Sequence, residues 1–255
     1  MFFLLLVFYL FEMHKTYVIG DIHSGLRALK QVLDIVPKAS DNLYVFLGDY
    51  VDGWSEAPET VEFLIDFSEK NNCILLRGNH DELVYNFLKG HQNNPMWLAH
   101  GGESSKKSYA NLSEENIKRH LQFYEGLQNY YIDSENRLYL HAGFTNMQGP
   151  AHEYFKNSVY WDRTLWEMAC CLNPLLSKTD CNYPKRLLLF KEIFIGHSPV
   201  TRIGKTVPVN CANVWNIDTG AAFKGPLSVI EASSKEVWQS DPVWHLYPDE
   251  EGRNK

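Results

Sequence analysis

The 255-residue chain has no Cys-x-x-C pair, which removes the usual spacing of a zinc-thiolate site. Its cysteines, Cys73, Cys170, Cys171, Cys181 and Cys211, are odd in number and read as reduced thiols of a cytoplasmic protein. A bilayer-spanning run is also missing. The apolar stretch Met1–Phe11 (MFFLLLVFYLF) has eleven residues, against roughly 20 for a membrane helix. It lacks the basic lead and small-residue cleavage site of a signal peptide. Residues 1–12 therefore read as an extension, either a weak anchor or an upstream start before Met13, and no stable membrane insertion is expected. Positive charge is scarce as well. Lys plus Arg total 24 against 31 Asp plus Glu, a net charge of -7, which argues against a broad nucleic-acid footprint. Anionic substrates stay open, because bound divalent cations reverse the local sign. With no repeat, low-complexity tract or linker, residues 13–255 are expected to form one domain.

What is present is a rhythm of short apolar runs and helical patterns. Tyr17–Gly20, Leu43–Leu47 and Cys73–Leu76 read as strands covered on both faces. Between them, Leu26, Leu29, Leu33 and Val36 recur at helical spacing up to Pro37. Ser55 is placed to cap a second helix carrying Val61, Leu64 and Ile65, and Asp81–Lys89 reads as a third. This β-α-β-α-β-α order predicts an α/β fold with a mostly parallel sheet. The second half predicts a polar helix over 113–128 and strands at 138–140, 193–195, 214–217, 227–230 and 237–238. Residues 166–186 show no clean period and read as an insertion near the site.

Polar residues collect where the strands end. Asp21 and His23 follow the first, Asp49 and Asp52 the second, and Asn79, His80 and Asp81 the third. Later strands deliver His141 and His197. Ligands of open α/β sheets bind at the carboxyl ends of strands, so five loaded ends point to one shared site. Carboxylate, imidazole and amide oxygen suit divalent cations, manganese first and iron or zinc otherwise. Asp21 and His23, two apart on an extended chain, would face one ion, and Asp49 has two oxygens with which to bridge a pair. Each tripeptide alone is weak evidence, since a lone Asp-x-His or His-Ala-Gly is more often a plain polar turn. The ordered set is what carries the reading.

That set resembles the calcineurin-like metallophosphoesterases. Gly-Asp-Ile-His at 20–23, Gly-Asp-Tyr-Val-Asp at 48–52, Arg-Gly-Asn-His-Asp at 77–81 and His-Ala-Gly at 141–143 stand in the family's order. More narrowly the chain is similar to the bacterial and phage-type phosphoprotein phosphatases. Trp97 with Gly101-Gly102, Trp161-Asp162-Arg163, Gly196-His197-Ser198-Pro199 and Ile217-Asp218-Thr219-Gly220-Ala221 fit that group. Pro199 stands where many diesterase relatives carry a second histidine. The resemblance implies a four-layer α/β/β/α sandwich with two metal ions. One would be held by Asp21, His23 and Asp49, the other by Asp49, Asn79, His141 and His197. It implies hydrolysis by a metal-activated hydroxide, with His80 as general acid, Asp52 orienting it and Arg163 gripping the phosphate.

Two positions depart from the pattern. Ser24 replaces a motif glycine, and Gly53 replaces the arginine that usually follows Gly-Asp-x-Val-Asp, leaving one phosphate donor unaccounted for. Trp54 is then expected either to line a wider pocket or to be packed away. The expected activity is serine/threonine phosphoprotein hydrolysis. A hydrolase of small phosphoesters or symmetrical dinucleoside tetraphosphates is the enzymatic alternative, and a phosphate-sensing binding protein the non-catalytic one.

Overall fold

Apolar residues at consecutive strand positions need cover on both faces, and two stacked sheets provide it. The computed structural model describes residues 15–91 and 94–254; the expectation for residues 1–12 falls outside them. The first sheet has the order β10-β9-β1-β2-β3, from β1 (Thr16–Ile19), β2 (Leu43–Phe46), β3 (Asn72–Leu75), β9 (Ser228–Glu231) and β10 (Val237–Gln239). The second runs β4-β5-β6-β8-β7, from β4 (Tyr130–Ile132), β5 (Arg137–Leu140), β6 (Glu192–Ile195), β7 (Val209–Cys211) and β8 (Val214–Asn216). In each, three neighbouring strands are parallel and the remaining pairings are antiparallel. The periodicity predicts one mostly parallel sheet. The observed pair of mixed sheets differs because β9 leaves the second half of the chain to pair antiparallel with β1.

Side-chain alternation separates the layers. Val18, Val45, Leu47, Tyr139, Phe194, Ile217 and Ile230 fill the seam between the sheets. Tyr17, Ile19, Tyr44 and Phe46 point outward, into a core shared with α1 (Leu26–Ile35) and α2 (Ala57–Ser68). On the far side, Leu138, Leu140, Ile193 and Ile195 pack with Leu165, Trp166 and Ala169 of α7 (Thr164–Cys171). The result is the expected α/β/β/α sandwich.

α3 (Asn79–Leu88) follows β3 directly, and the turn α4 (Pro95–Trp97) leads through Leu98–Gly102 into α5 (Glu103–Tyr109). α6 (Glu114–Gly126) is capped by Ser113, whose side chain accepts from Asn116 N. Ser55 caps nothing. α2 begins after Glu56, and both the backbone N and the hydroxyl of Ser55 donate to Glu250, at 2.9 and 2.7 Å. A strap after α8 (Val243–Leu246) claims that serine instead. Residues 166–186, expected as an insertion near the site, begin inside α7, whose Trp166 and Ala169 are buried against the second sheet. The five cysteines are free thiols, and long-range packing brings Cys170 Sγ to 3.0 Å from Cys211 Sγ.

Candidate active site

Three loops at the carboxyl ends of β1, β2 and β3 are tied together before any side chain meets a ligand. Ile22 N and His23 N both donate to Asp49 O, at 3.0 and 2.9 Å. Asp81, in the first turn of α3, accepts from Asp49 N, Tyr50 N and Gly78 N at 2.8–2.9 Å. The turns are tight enough that His23, Ser24, Asp49, Asp52 and His197 all take positive φ, between 52° and 68°. The segment after Asp21 is therefore not extended. A left-handed turn, rather than strand alternation, brings His23 Nε2 to 3.8 Å from Asp21 Oδ2.

Hydrogen bonds set the imidazole tautomers. His23 Nδ1 faces the carbonyl oxygens of Val51 and Asp52, at 3.2 and 2.9 Å. His141 Nδ1 faces Leu47 O at 2.9 Å. Carbonyls only accept, so Nδ1 carries hydrogen in both rings and Nε2 turns inward. His141 Nε2 then meets Asn79 Oδ1 at 3.2 Å and Asp49 Oδ2 at 3.4 Å. His197 Nε2 is buried with no hydrogen-bond partner. Buried acceptors gathered around one point are the donor set of a cation. His23, Asp49 and His80 each bring one candidate ligand atom within 4.8 Å of the others, and so do Asp49, His141 and His197. Asp49 belongs to both groups, as a bridging carboxylate would. Asp21 also accepts from His197 N through both oxygens, at 3.2 and 3.1 Å.

The electrostatics match this crowding. Burial raises Asp21 well above the ordinary carboxylate range, and Asp218 adds to the rise. Burial acts the same way on Asp49, but His141, His80 and His23 outweigh it and hold its carboxyl well below that range. Burial opposes charge on His141, yet Asp49 prevails and pushes it up to about 9. His197 is driven down by burial, then by His141 and Arg163.

Beside the cluster, His80 Nδ1 lies 2.7 Å from Asp52 Oδ2, which leaves Nε2 free to act. Arg163 lines the same cleft and donates to His197 O at 3.3 Å and Ser198 Oγ at 2.9 Å. Trp54 does not line the cleft. It is fully buried, donates from Nε1 to Ala221 O at 2.8 Å and stacks on Tyr247 at 5.1 Å. Gly53 takes φ +120°, and a Cβ there would meet His23 O at 3.2 Å, so the local turn requires glycine.

Comparison with known proteins agrees with this geometry. The profile of the calcineurin-like phosphoesterases matches residues 14–222. The chain is a calcineurin-like phosphoesterase. A relative from Geobacillus thermodenitrificans, bis(5'-nucleosyl)-tetraphosphatase PrpE [asymmetrical], is 28% identical over 231 residues, 84% of this chain and 88% of that protein. The protein of the same name from Bacillus subtilis is 26% identical over 226 residues, 83% and 88% of the two chains. In fold, the phosphoesterase is similar to a candidate diadenosine tetraphosphatase, with a TM-score of 0.57 at 16% identity over 90% of this chain and 94% of the other. It is also similar to a cold-active protein-tyrosine phosphatase of a Shewanella species, with a TM-score of 0.56 at 13% identity over 89% and 80%.

Of the sequence candidates of this phosphoesterase, His23, Asp49, Asn79, His80, Arg163 and His197 line one cleft, with Asp21, Asp52 and His141 next to them, and the structure adds others. Trp97 donates from Nε1 to Asp52 Oδ2 at 2.6 Å, and Ser105 Oγ accepts from Asp52 N at 3.1 Å. Arg202, Asp218, Phe223 and Arg253 complete the cleft wall. Trp97 and Asp218 lie in motifs that were visible. Arg202 and Arg253 carry no local signal. None of residues 166–186 lines the cleft of the phosphoesterase.

Proposed function

We propose that this phosphoesterase uses two divalent cations, manganese first, to hydrolyse dinucleoside polyphosphates, giving a nucleoside triphosphate and a nucleoside monophosphate from a tetraphosphate and one water. The observation that carries this reading is the shape of the site. Arginines 163, 202 and 253 line a cleft over the Asp/His cluster, and Arg253 also lines an adjoining cavity of 660 Å³ bordered by Ser104, Lys107 and Ser108. A phosphate chain suits the three arginines of the cleft, and the adjoining cavity, which Glu103, Glu250 and Glu251 also border, has the volume for the uncharged nucleoside at its end. The similarity to PrpE proteins along most of the chain supports the same substrate class.

Asp21, His23, Asp49, Asn79, His141 and His197 would hold the ions. When bound, such ions supply a water of lowered pKa and positive charge for the phosphoryl oxygens. The chain's own residues do the rest. Arg163 offers a forked donor to non-bridging oxygens. Asp52 fixes the His80 ring, and His80 Nε2 delivers a proton to the departing oxygen. A phosphate leaving group needs that proton far less than an alkoxide does.

The test is steady-state turnover of the manganese-loaded protein on a dinucleoside tetraphosphate, on phosphoserine, phosphothreonine and phosphotyrosine peptides, and on an aryl phosphate. A higher kcat/KM on the tetraphosphate, with triphosphate and monophosphate products, is expected. Two diphosphates would give the symmetrical cleavage instead. Preference for phosphopeptides would return the protein to the phosphoprotein phosphatases, and no turnover at full metal loading would make it a phosphate sensor.

A further inference from the structure

The missing arginine at position 53 leaves a space, and another arginine enters it from the far end of the sequence. Residues 247–253 form a strap that borders the adjoining cavity and reaches the cleft at Arg253. Tyr247 stacks on buried Trp54, and its hydroxyl accepts from Arg27 N at 3.1 Å. Glu250 takes both donors of Ser55. Arg253 N donates to Ala222 O at 2.9 Å. The strap is thus latched to the loop after β2 and to the loop before β9.

Its last latched residue points inward. The Arg253 stem runs over Gly53 and Gly101, which are joined by the Gly53 N to Gly101 O bond of 3.3 Å. A Cβ at Gly53 would lie 3.6 Å from Arg253 Cγ, and one at Gly101 only 3.1 Å away. The guanidinium sits 5.3 Å from the centre of the Phe223 ring, and Nη1 reaches to 3.5 Å from His23 Nε2, the nitrogen that faces the cluster. Among the described residues it forms no ion pair with a carboxylate. A half-buried guanidinium without an anionic partner, held beside a candidate ligand of a cation, is arranged for an anion that arrives with the substrate.

We propose that Arg253 is a substrate-binding residue, delivered by the strap to hydrogen-bond a phosphoryl oxygen above the cluster. This rests on the phosphoesterase reading of the site, but not on which ester is the natural one. The alternative is that Arg253 only anchors the strap, by packing its stem on the glycines and its cation on Phe223.

Arg253→Met separates the two, because methionine keeps an unbranched apolar stem over Gly53 and Gly101 and removes the fork. Arg253→Lys keeps the charge without the fork. The probe is inorganic phosphate binding to the metal-loaded protein by calorimetry, alongside KM and kcat for an aryl phosphate. Metal content and Tm are measured on every variant. The expected result for Arg253→Met is phosphate affinity and 1/KM lower by about ten- to a hundredfold. The kcat, metal content and Tm should stay near wild type, and Arg253→Lys should recover part of the loss. Unchanged phosphate affinity in Arg253→Met overturns the proposal. A loss of affinity that only follows a fall in Tm or metal content overturns it too. Because the phosphate measurement needs no turnover, a wild type that binds phosphate but cleaves no dinucleoside polyphosphate would sink the substrate assignment and leave the role of Arg253 standing.

Discussion

Asp52 Oδ2 accepts from two rings at once, His80 Nδ1 at 2.7 Å and Trp97 Nε1 at 2.6 Å, while Asp52 Oδ1 is buried with no partner. The carboxylate is thereby held in one orientation, and the histidine with it. His80→Asn should lower kcat by about 10²–10⁴-fold on an alkyl phosphate, and far less on an aryl phosphate or a phosphate anhydride. Asp52→Asn should follow the same order of substrates. Equal losses on all three, measured at full metal loading, would show that His80 does not protonate the leaving group.

Among the described residues, Asp49 is the carboxylate shared by the two candidate ligand groups. Asp49→Asn should therefore reduce bound metal at both positions rather than one, and aryl phosphatase activity should fall with it. Exhaustive chelation of the wild type should abolish activity, and added manganese should restore it. Metal analysis of the variant decides the matter: one ion fully retained would mean that Asp49 serves a single site.

Ser24 carries two costs. It sits at φ +63°, and its fully buried hydroxyl has no partner. A left-handed non-glycine residue costs roughly 1–2 kcal/mol, and an unsatisfied buried hydroxyl adds to it. Ser24→Gly removes both, against the extra freedom of glycine in the unfolded chain. The expected outcome is a gain of about 1 kcal/mol in denaturant unfolding with kcat/KM unchanged. A loss of stability would mean that the hydroxyl is satisfied by water.

Gly53 behaves oppositely. At φ +120°, with His23 O close by, Gly53→Ala should cost about 1–3 kcal/mol. Gly53→Arg should gain no phosphate affinity, because Arg253 already occupies that space. A lower KM in Gly53→Arg would show that the cleft had room for a further donor.

His120 offers a pH test away from the cluster. Its Nε2 lies 2.8 Å from Glu62 Oε1 and its Nδ1 2.9 Å from the Tyr109 hydroxyl. Burial pulls it below the ordinary histidine value, with Glu62 opposing in part. The unfolded chain then binds the proton more readily than the folded one, so stability rises with pH in this range. The contribution is present above about 6.5 and lost as pH falls below it. His120→Gln should flatten that part of the unfolding free-energy curve, and a curve parallel to wild type would refute the assignment.

Much of this was legible in the sequence because it is local. β1, β2, β5 and β6 are apolar runs, α1 has a clean period, and the ligand triplets follow directly on strands. Other features are not local. β4 and β7 are edge strands with partly exposed residues, and β9 joins β1 only through the fold. Ser55 has the chemistry of a helix cap, but Glu250, 195 positions away, takes its donors. Trp54 follows a cleft residue in the chain yet faces Tyr247. Arg253 lies beyond every motif, and only the strap brings it to His23. Side chains were readable where a strand dictates their direction and unreadable where a distant segment chooses it.

The cleft lies on the open edge of the seam between the two sheets. Asp21, His23, Asp49, Asn79 and His80 come from the first sheet's loops, and His141 and His197 from the second's. Farther in, the sheets adhere through apolar contact; here they meet through His141 Nδ1 donating to Leu47 O and His197 N donating to Asp21, with the acceptors His141 Nε2 and Asn79 Oδ1 facing each other. Ions seated there would act as rivets between the layers, so occupancy should be a mechanical property as well as a chemical one. Backbone amides at the ends of β5 and β6 should exchange with solvent more slowly when the metals are in place. The apo chain would gape first at the edge where its chemistry is done.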